Sequence, residues 1–260
     1  MGTYVVTGAA LRPGGQYGIG GALKKKLIAE GHEVIAVDVT DAEIVGDLST
    51  TEGRASIVDE IHRLAPNGID GLATCAAVLD SRPENLAEIN FFGTVDVING
   101  CRDLLKAKNG SAVIVSSHTL VLMPDDEIVK LYLTLDREQI LYGIKDKHGR
   151  VVYASGKQAL VHWMRKMVPE YAADGVRLNT VVPGFTDTPL ASRSDATPER
   201  VKRYDEFQSS IPLGQRMGKP EEVAAAIEFL MSLAASFVCG SVLFVDGGHD
   251  TNLRPGLIKF

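Results

Sequence analysis

Cysteine is scarce in this 260-residue chain. Cys75, Cys101 and Cys239 stand far apart with no CxxC pair among them, which excludes a thiolate zinc site and a disulfide framework. All three read as reduced core residues, as in a cytoplasmic protein. No run of about 18 apolar residues occurs, so no membrane span is expected. The opening Met-Gly-Thr-Tyr-Val-Val lacks the basic segment and cleavage site of a signal peptide, and a soluble, unexported protein is expected. Positive charge is also short: 27 Lys and Arg against 33 Asp and Glu leave a formal charge of −6, without the basic patch that nucleic-acid binding needs. The one basic run, Lys24-Lys25-Lys26, reads as the solvated side of a helix. The six histidines show no HExxH or paired spacing, so no metal site is expected. Ser117-His118 sits in no G-x-S-x-G elbow, and neighbouring strand side chains point to opposite faces, which argues against a serine hydrolase.

What is present is an alternation of short β-branched runs with longer stretches of helical period, the pattern of βαβ units around a parallel sheet. Strands are expected at 3–7, 33–38, 70–75, 112–116, 177–182 and 241–245, and helices at 19–30, 52–64, 83–105, 153–173 and 220–233. Ile19, Leu23, Leu27 and Ile28 form the apolar stripe of the first helix, which closes on Gly31. No repeat or low-complexity linker divides the chain. The expected fold is therefore α/β, a single-domain, Rossmann-type doubly wound parallel sheet flanked by helices over residues 1–260. Residues 118–152, charged yet rich in Leu, Ile and Tyr, break the alternation as an insertion before the helix expected at 153–173.

The first strand ends in Thr7-Gly8, and Gly18-Ile19-Gly20-Gly21 opens the helix that follows. Glycines let backbone approach a pyrophosphate, and the free N–H groups and dipole of a helix start favour its charge. Asp38 lies at the end of the second strand, 18 positions beyond Gly20, where a carboxylate accepts from both hydroxyls of an adenosine ribose. A carboxylate there repels the extra phosphate of NADP and favours NAD. Arg12 in the glycine loop either pairs with that phosphate or points to solvent. Asp47, followed by Leu48, either meets the adenine amine or caps the helix beginning near Ser49 and Thr50.

Tyr153 and Lys157 stand four apart in Tyr-Ala-Ser-Gly-Lys and share one helix face. A phenol titrates near 10, too high for ready proton exchange at neutrality, and an ammonium alongside lowers that value. Ser116-Ser117 ends the fourth major strand, at the sheet edge where open α/β folds bind ligands, and a serine hydroxyl there either holds a substrate oxygen or caps a turn. Asn90, inside a helical stretch, is costly unless its amide has a partner. Pro183-Gly184 ends the fifth strand; Thr186 and Thr188 offer donors to a nicotinamide amide and phosphate, and Phe185 is placed to pack beside the ring.

Taken together, TG…GIG, Asp38, Asn90, Ser117, Tyr153/Lys157, NTVVPG and the terminal VDGG resemble the short-chain dehydrogenase/reductase family over nearly the whole chain. The resemblance implies that Tyr153 is the catalytic acid/base, that Lys157 lowers its pKa and holds the ribose, that Ser117 positions the carbonyl and that Asn90 supports a proton-relay water. It places the cofactor against Gly8, Gly18, Ile19, Gly20, Asp38, Asp47, Leu48, Cys75, Ala76, Ala77, Tyr153, Lys157, Pro183, Gly184, Phe185, Thr186 and Thr188. Within the family, DAEIVGDLSTTEGR, the insertion and the tail RPGLIKF are similar to the bacterial 3-alpha-hydroxysteroid dehydrogenase/carbonyl reductases. That implies an NAD-dependent oxidoreductase for a bulky hydrophobic secondary alcohol or ketone, with an aryl or terpene alcohol or a non-catalytic NAD-binding regulator as alternatives, assembled as a homodimer or homotetramer. Three departures stand out: nine residues separate Gly8 from Gly18, Ala77 replaces a family glycine, and Ser117 and Tyr153 are 36 apart. The insertion carries more apolar surface than a solvated loop needs; it is expected to wall the substrate cleft and alter the helix-to-helix interface, with packing on its own core as the other possibility. Residues 191–210 are the expected lid over substrate.

Overall fold

The computed structural model describes residues 1–10, 16–191 and 197–256; Arg12 and part of the expected lid lie outside them. In chain order the elements are β1 (Thr3–Thr7), α1 (Ile19–Ala29), β2 (Glu33–Asp38), β3 (Ile44–Val45), α2 (Thr51–Leu64), β4 (Gly71–Thr74) and α3 (Pro83–Asn85). A π-helical segment (Leu86–Phe92) then leads into α4 (Gly93–Gly100), α5 (Arg102–Lys106), β5 (Ser111–Val115) and a 3-10 turn (His118–Val121). The remainder is α6 (Asp126–Tyr132), α7 (Arg137–Ile144), α8 (Gly149–Ala173), β6 (Arg177–Pro183), α9 (Pro198–Ser209), α10 (Pro220–Met231), β7 (Val242–Val245) and α11 (His249–Leu253).

Alternate residues of a strand face opposite sides of its sheet, and these strands are apolar on both. Val5, Ile35 and Ile114 enter one core with Ile57 and Ile61 of α2 and Leu160 and Trp163 of α8. Val6, Ala36 and Val113 enter a second with Leu23 and Leu27 of α1 and Val223, Ile227 and Leu230 of α10. Seven parallel strands result, in the order β3-β2-β1-β4-β5-β6-β7. That order reverses between β1 and β4, which opens a crevice beyond their carboxyl ends. Helix α1 stops as expected: Gly31 takes φ +83° and donates to Ile28, while His32 donates to Leu27. Ile28, expected on the buried stripe, is 52% exposed, and Cys239, expected in the core, is exposed.

The single helix expected over 83–105 is divided. The Thr94 hydroxyl donates to the Asn90 carbonyl and competes with the helical N–H, and the chain widens into the π segment around Asn90. A further break falls at Cys101. Helix α8 begins at Gly149, four residues before the expected start, because His148 Nδ1 accepts from the Arg150 N–H at 3.2 Å and caps it.

Much of the insertion packs on its own chain, the other possibility weighed beside a cleft wall and altered interface, while Leu122, Met123, Leu135 and Tyr142 stay exposed. Ile128, Val129, Tyr132, Ile140 and Ile144 are all buried in the first core, and the Tyr132 ring lies 4.7 Å from Phe91. Asp125 N–H donates to the Ser155 hydroxyl at 2.9 Å, so the Tyr-Ala-Ser-Gly-Lys motif takes the insertion on one side of α8.

Helices α9 and α11 meet the end of β5 through an aromatic cluster. The His118 and His249 rings stack at 4.5 Å, Phe207 meets His249 edge-on at 4.5 Å, and Ser210 Oγ lies 2.9 Å from His249 Nε2. Burial and the neighbouring His249 charge push the His118 pKa down to about 4, against the opposing pull of Asp246 and Asp250.

Two predictions follow from this packing. The Tyr132 hydroxyl is buried with no hydrogen-bond partner among the described residues, so Tyr132→Phe removes an uncompensated polar group and should raise unfolding stability by about 1 kcal/mol; a comparable loss in urea melts would contradict this. The unfolded chain binds a proton at His118 from about pH 6.5 downward while the folded chain resists until about 4. Stability is therefore lost as pH falls through that window, by about 3 kcal/mol for this group, and His118→Phe should flatten the dependence in melts at pH 7.5 and 5.

Candidate active site

At the switch point the glycine positions have separate tasks. Gly8 turns left-handed at φ +68° and donates to Val37 at 2.8 Å; a Cβ on it would sit 2.7 Å from Ala76 backbone, and one on Gly20 would sit 2.5 Å from the Gly8 carbonyl oxygen. These two let β1, α1 and the chain after β4 cross. Gly18 differs: a Cβ there meets nothing within 4 Å, and as N-cap of α1 it supplies no side-chain acceptor to the first-turn N–H groups. Those donors and the helix dipole are left for an anion.

The cleft that begins at Gly8, Gly18 and Ile19 runs along the ends of β2, β3 and β4, past Asp38, Gly46, Asp47 and Leu48, with Cys75, Ala76, Ala77 and Val78 opposite. Asp38 Oδ2 accepts from Ala10 N–H at 2.9 Å and Oδ1 from Val39 N–H at 2.8 Å. Backbone thus fixes the carboxylate, and each oxygen keeps a lone pair for further donors. Asp47 accepts from Ser49 N–H at 2.8 Å, while the cap of α2 is Thr50, which accepts from Gly53 N–H at 3.0 Å. The capping role weighed for Asp47 therefore belongs to Thr50. The Ala76 N–H donates to Thr7 Oγ1 at 3.0 Å, tying the Cys75-Ala76-Ala77 stretch to β1.

The chemical end lies beyond β5. Ser116 and Ser117 divide two roles that sequence left shared. The Ser116 hydroxyl donates to the Lys157 carbonyl at 2.8 Å and is buried, whereas Ser117 caps the 3-10 turn, accepts from the Thr119 hydroxyl at 3.0 Å and lies within hydrogen-bonding reach of the Tyr153 phenol. Lys157 is 2% exposed and its ammonium donates to the Val115 carbonyl at 2.8 Å. Burial lowers its pKa to about 8. Tyr153 moves the other way from the expectation: burial raises its pKa, opposed by the Ser117 hydrogen bond. The Lys157 ammonium stands 5.8 Å from the Tyr153 ring centroid and is bound to Val115, so desolvation outweighs its field at the phenol.

Asn90 has the partner its position demands: Oδ1 accepts from Val78 N–H at 2.8 Å and Nδ2 donates to the Val78 carbonyl at 3.0 Å. Its amide thus holds the backbone of the cleft wall. Past β6, Gly184 allows the chain to pass Asp246, whose Cα a Cβ would meet at 2.7 Å. The Phe185 ring packs on Tyr204 at 4.9 Å and Phe207 at 5.5 Å and lines a cavity other than this cleft. The Thr186 hydroxyl donates to the Gly184 carbonyl at 3.0 Å and so serves the turn. Thr188 lines the cleft with Pro189 and Leu190. Val37, Val39, Val78, Ile89, Pro189 and Leu190 line it too and were not foreseen, since an apolar side chain carries no chemical signature. Among the described residues no group of three or more His, Cys, Asp or Glu is placed to hold a metal, and no helix is long and apolar enough to cross a membrane.

Comparison with known proteins agrees with this geometry. The profile of the family described as enoyl-(acyl carrier protein) reductase matches residues 141–250. The 3-alpha-hydroxysteroid dehydrogenase/carbonyl reductase of Comamonas testosteroni is 35% identical, covering 98% of this chain and 99% of its own. The crystal structure of the 3-alpha-hydroxysteroid dehydrogenase of Pseudomonas sp. B-0831, complexed with NADH, superposes with a TM-score of 0.90 at 35% identity, over 98% of this chain and 100% of that one. An oxidoreductase of the short-chain dehydrogenase/reductase family from Burkholderia thailandensis superposes at 0.68 with 26% identity, over 95% and 92%. Motif order, strand order and full-length similarity coincide, and the chain belongs to the short-chain dehydrogenase/reductase family of oxidoreductases.

Proposed function

We propose that this protein is an NAD-dependent oxidoreductase that interconverts a secondary alcohol and a ketone on a bulky hydrophobic substrate, a hydroxysteroid or similar carbonyl compound first among them. One observation carries the reading: Ser117 and the Tyr153 phenol, within hydrogen-bonding reach of each other and with Lys157 held to the end of β5 behind them, stand at the carboxyl edge of the sheet beside a cleft shaped for a dinucleotide. The NADH complex of the Pseudomonas relative and the name of the Comamonas relative support the cofactor and the substrate class. In form, the open side of Gly18 and the uncapped start of α1 suit a pyrophosphate, Asp38 suits the adenosine ribose hydroxyls, and Gly46-Asp47-Leu48 suit the adenine end.

Bound NAD supplies the nicotinamide C4 that exchanges hydride with the carbinol carbon. The protein's own groups handle the oxygen. Ser117 and Tyr153 hold it from two sides; the Tyr153 hydroxyl passes its proton to a carbonyl oxygen in reduction, and in oxidation the Tyr153 phenolate takes the proton from the alcohol. The raised Tyr153 pKa keeps the phenol protonated at neutral pH, so the site as it stands is set to donate. Lys157, with its pKa near 8, is mostly charged at pH 7 and supports the phenolate that donation leaves. Residues 191–210 serve as the lid in this proposal, with α9 anchored by the Phe185–Phe207–His249 cluster.

Tyr153→Phe should lower turnover by at least about a hundredfold, with NADH affinity by fluorescence titration staying near that of the parent; retained turnover on a panel of steroid and aryl alcohols would remove Tyr153 from the chemistry. Asp38→Ala should shift the ratio of kcat/KM for NAD over NADP toward NADP by about tenfold, as expected when a charge repelling the phosphate is lost. An unchanged ratio would assign cofactor choice to another group.

A further inference from the structure

Arg54 of α2 is 2% exposed and is not itself a lining residue of the cleft, yet it donates in four directions. Nε reaches Asp96 Oδ2 at 2.7 Å, Nη1 reaches both the Leu48 carbonyl and Glu88 Oε2 at 2.9 Å, and Nη2 reaches Thr51 Oγ1 at 3.2 Å. Glu88 is itself 5% exposed, and its other oxygen lies 2.5 Å from Arg137 of α7, within the insertion.

The two ends of this network are both cleft walls. Leu48 lines the adenine end, and its carbonyl is held by the guanidinium. Glu88 lies in the π segment directly before Ile89, a residue of the opposite wall, and before Asn90, whose amide grips Val78 of that wall. Hydrogen bonds join Leu48 to Arg54 and Arg54 to Glu88, and the backbone of the π segment carries Glu88 on to Ile89 and to Asn90, which holds Val78. An ion pair buried to this degree adds little stability over a well-packed apolar pair. No apolar side chain, however, can hold the Leu48 carbonyl, and a lysine cannot fork to Leu48, Glu88, Asp96 and Thr51 together.

We infer that Arg54 and Glu88 are positioning residues that set the spacing of the two walls at the adenosine end of the cleft, with Arg137 clamping them from the insertion. The inference rests on the reading of the cleft as an NAD site and adds the device that shapes it.

The test compares the full-length parent with Arg54→Lys, Arg54→Met and the double variant Arg54→Met/Glu88→Met. NADH affinity is measured by fluorescence titration, stability by thermal melting, kcat and KM for NAD by initial rates, and amide exchange over residues 46–49 without cofactor. Arg54→Met is expected to weaken NADH binding about tenfold, a size ordinary for coupled neighbours, to raise KM for NAD in parallel and to change kcat less than about threefold. The double variant should regain parental melting, since no buried charge is left unpaired, while its affinity stays low. Arg54→Lys should fall between. Faster exchange at 46–49 is expected in all three. Parental NADH affinity in any folded Arg54 variant would overturn the inference and leave Arg54 a purely structural ion pair. A parent that binds no NADH would instead defeat the NAD reading, and unchanged exchange at 46–49 would then overturn the positioning role by itself.

Discussion

Lys157 and the end of β5 hold each other by two bonds that run in opposite senses. The Lys157 ammonium donates to the Val115 carbonyl, and the Ser116 hydroxyl donates to the Lys157 carbonyl, both at 2.8 Å. A strand end and a helix middle, 41 or 42 residues apart in sequence, are thereby closed at fixed spacing. Ser117 is the second residue beyond the strand and Tyr153 lies one helical turn back from Lys157, so their nearness is a consequence of that closure. The arrangement demands a buried cation, and its cost appears as the lowered lysine pKa.

The insertion acts on the same helix from behind. Ser155 receives the Asp125 N–H and Gly156 leaves its side of α8 to the Tyr132 ring, so a five-residue motif faces the site with two residues and the insertion with two others. Arg137 then carries the contact on to Glu88 and the π segment. A lengthened connection between Ser117 and Tyr153 is compatible with their pairing because the added helices are absorbed into the first core. The pair is set by β5 and α8, whatever the length of chain between them.

Close approach governs the other end. Gly8 and Gly20 are required where three chain segments cross at less than a side chain's distance, and Gly18 is the one glycine of the three whose missing side chain leaves space for a ligand. The Asn90 amide does comparable work across the cleft. It replaces strand partners for Val78, whose backbone has already left the sheet.

Much of this was legible from residue order. Short, continuous β-branched apolar runs located six of the seven strands, because strands buried on both faces must be apolar on both; β3, two residues long, left no pattern to read. Gly31 marked the end of α1 through the left-handed conformation only it adopts cheaply, and Asp38, Ser117, Tyr153 and Lys157 announced themselves by chemistry and spacing. Tertiary structure decided what depends on neighbours distant in sequence. It divided the helix at Asn90, exposed Ile28, turned Phe185 toward Phe207 and folded the insertion inward. It also reversed the expected Tyr153 shift, because desolvation and the direction in which a lysine points are properties of packing. Periodicity and motif spacing are local and survive in the bare sequence, whereas burial, and with it the electrostatics of the site, exists only once the chain has closed on itself.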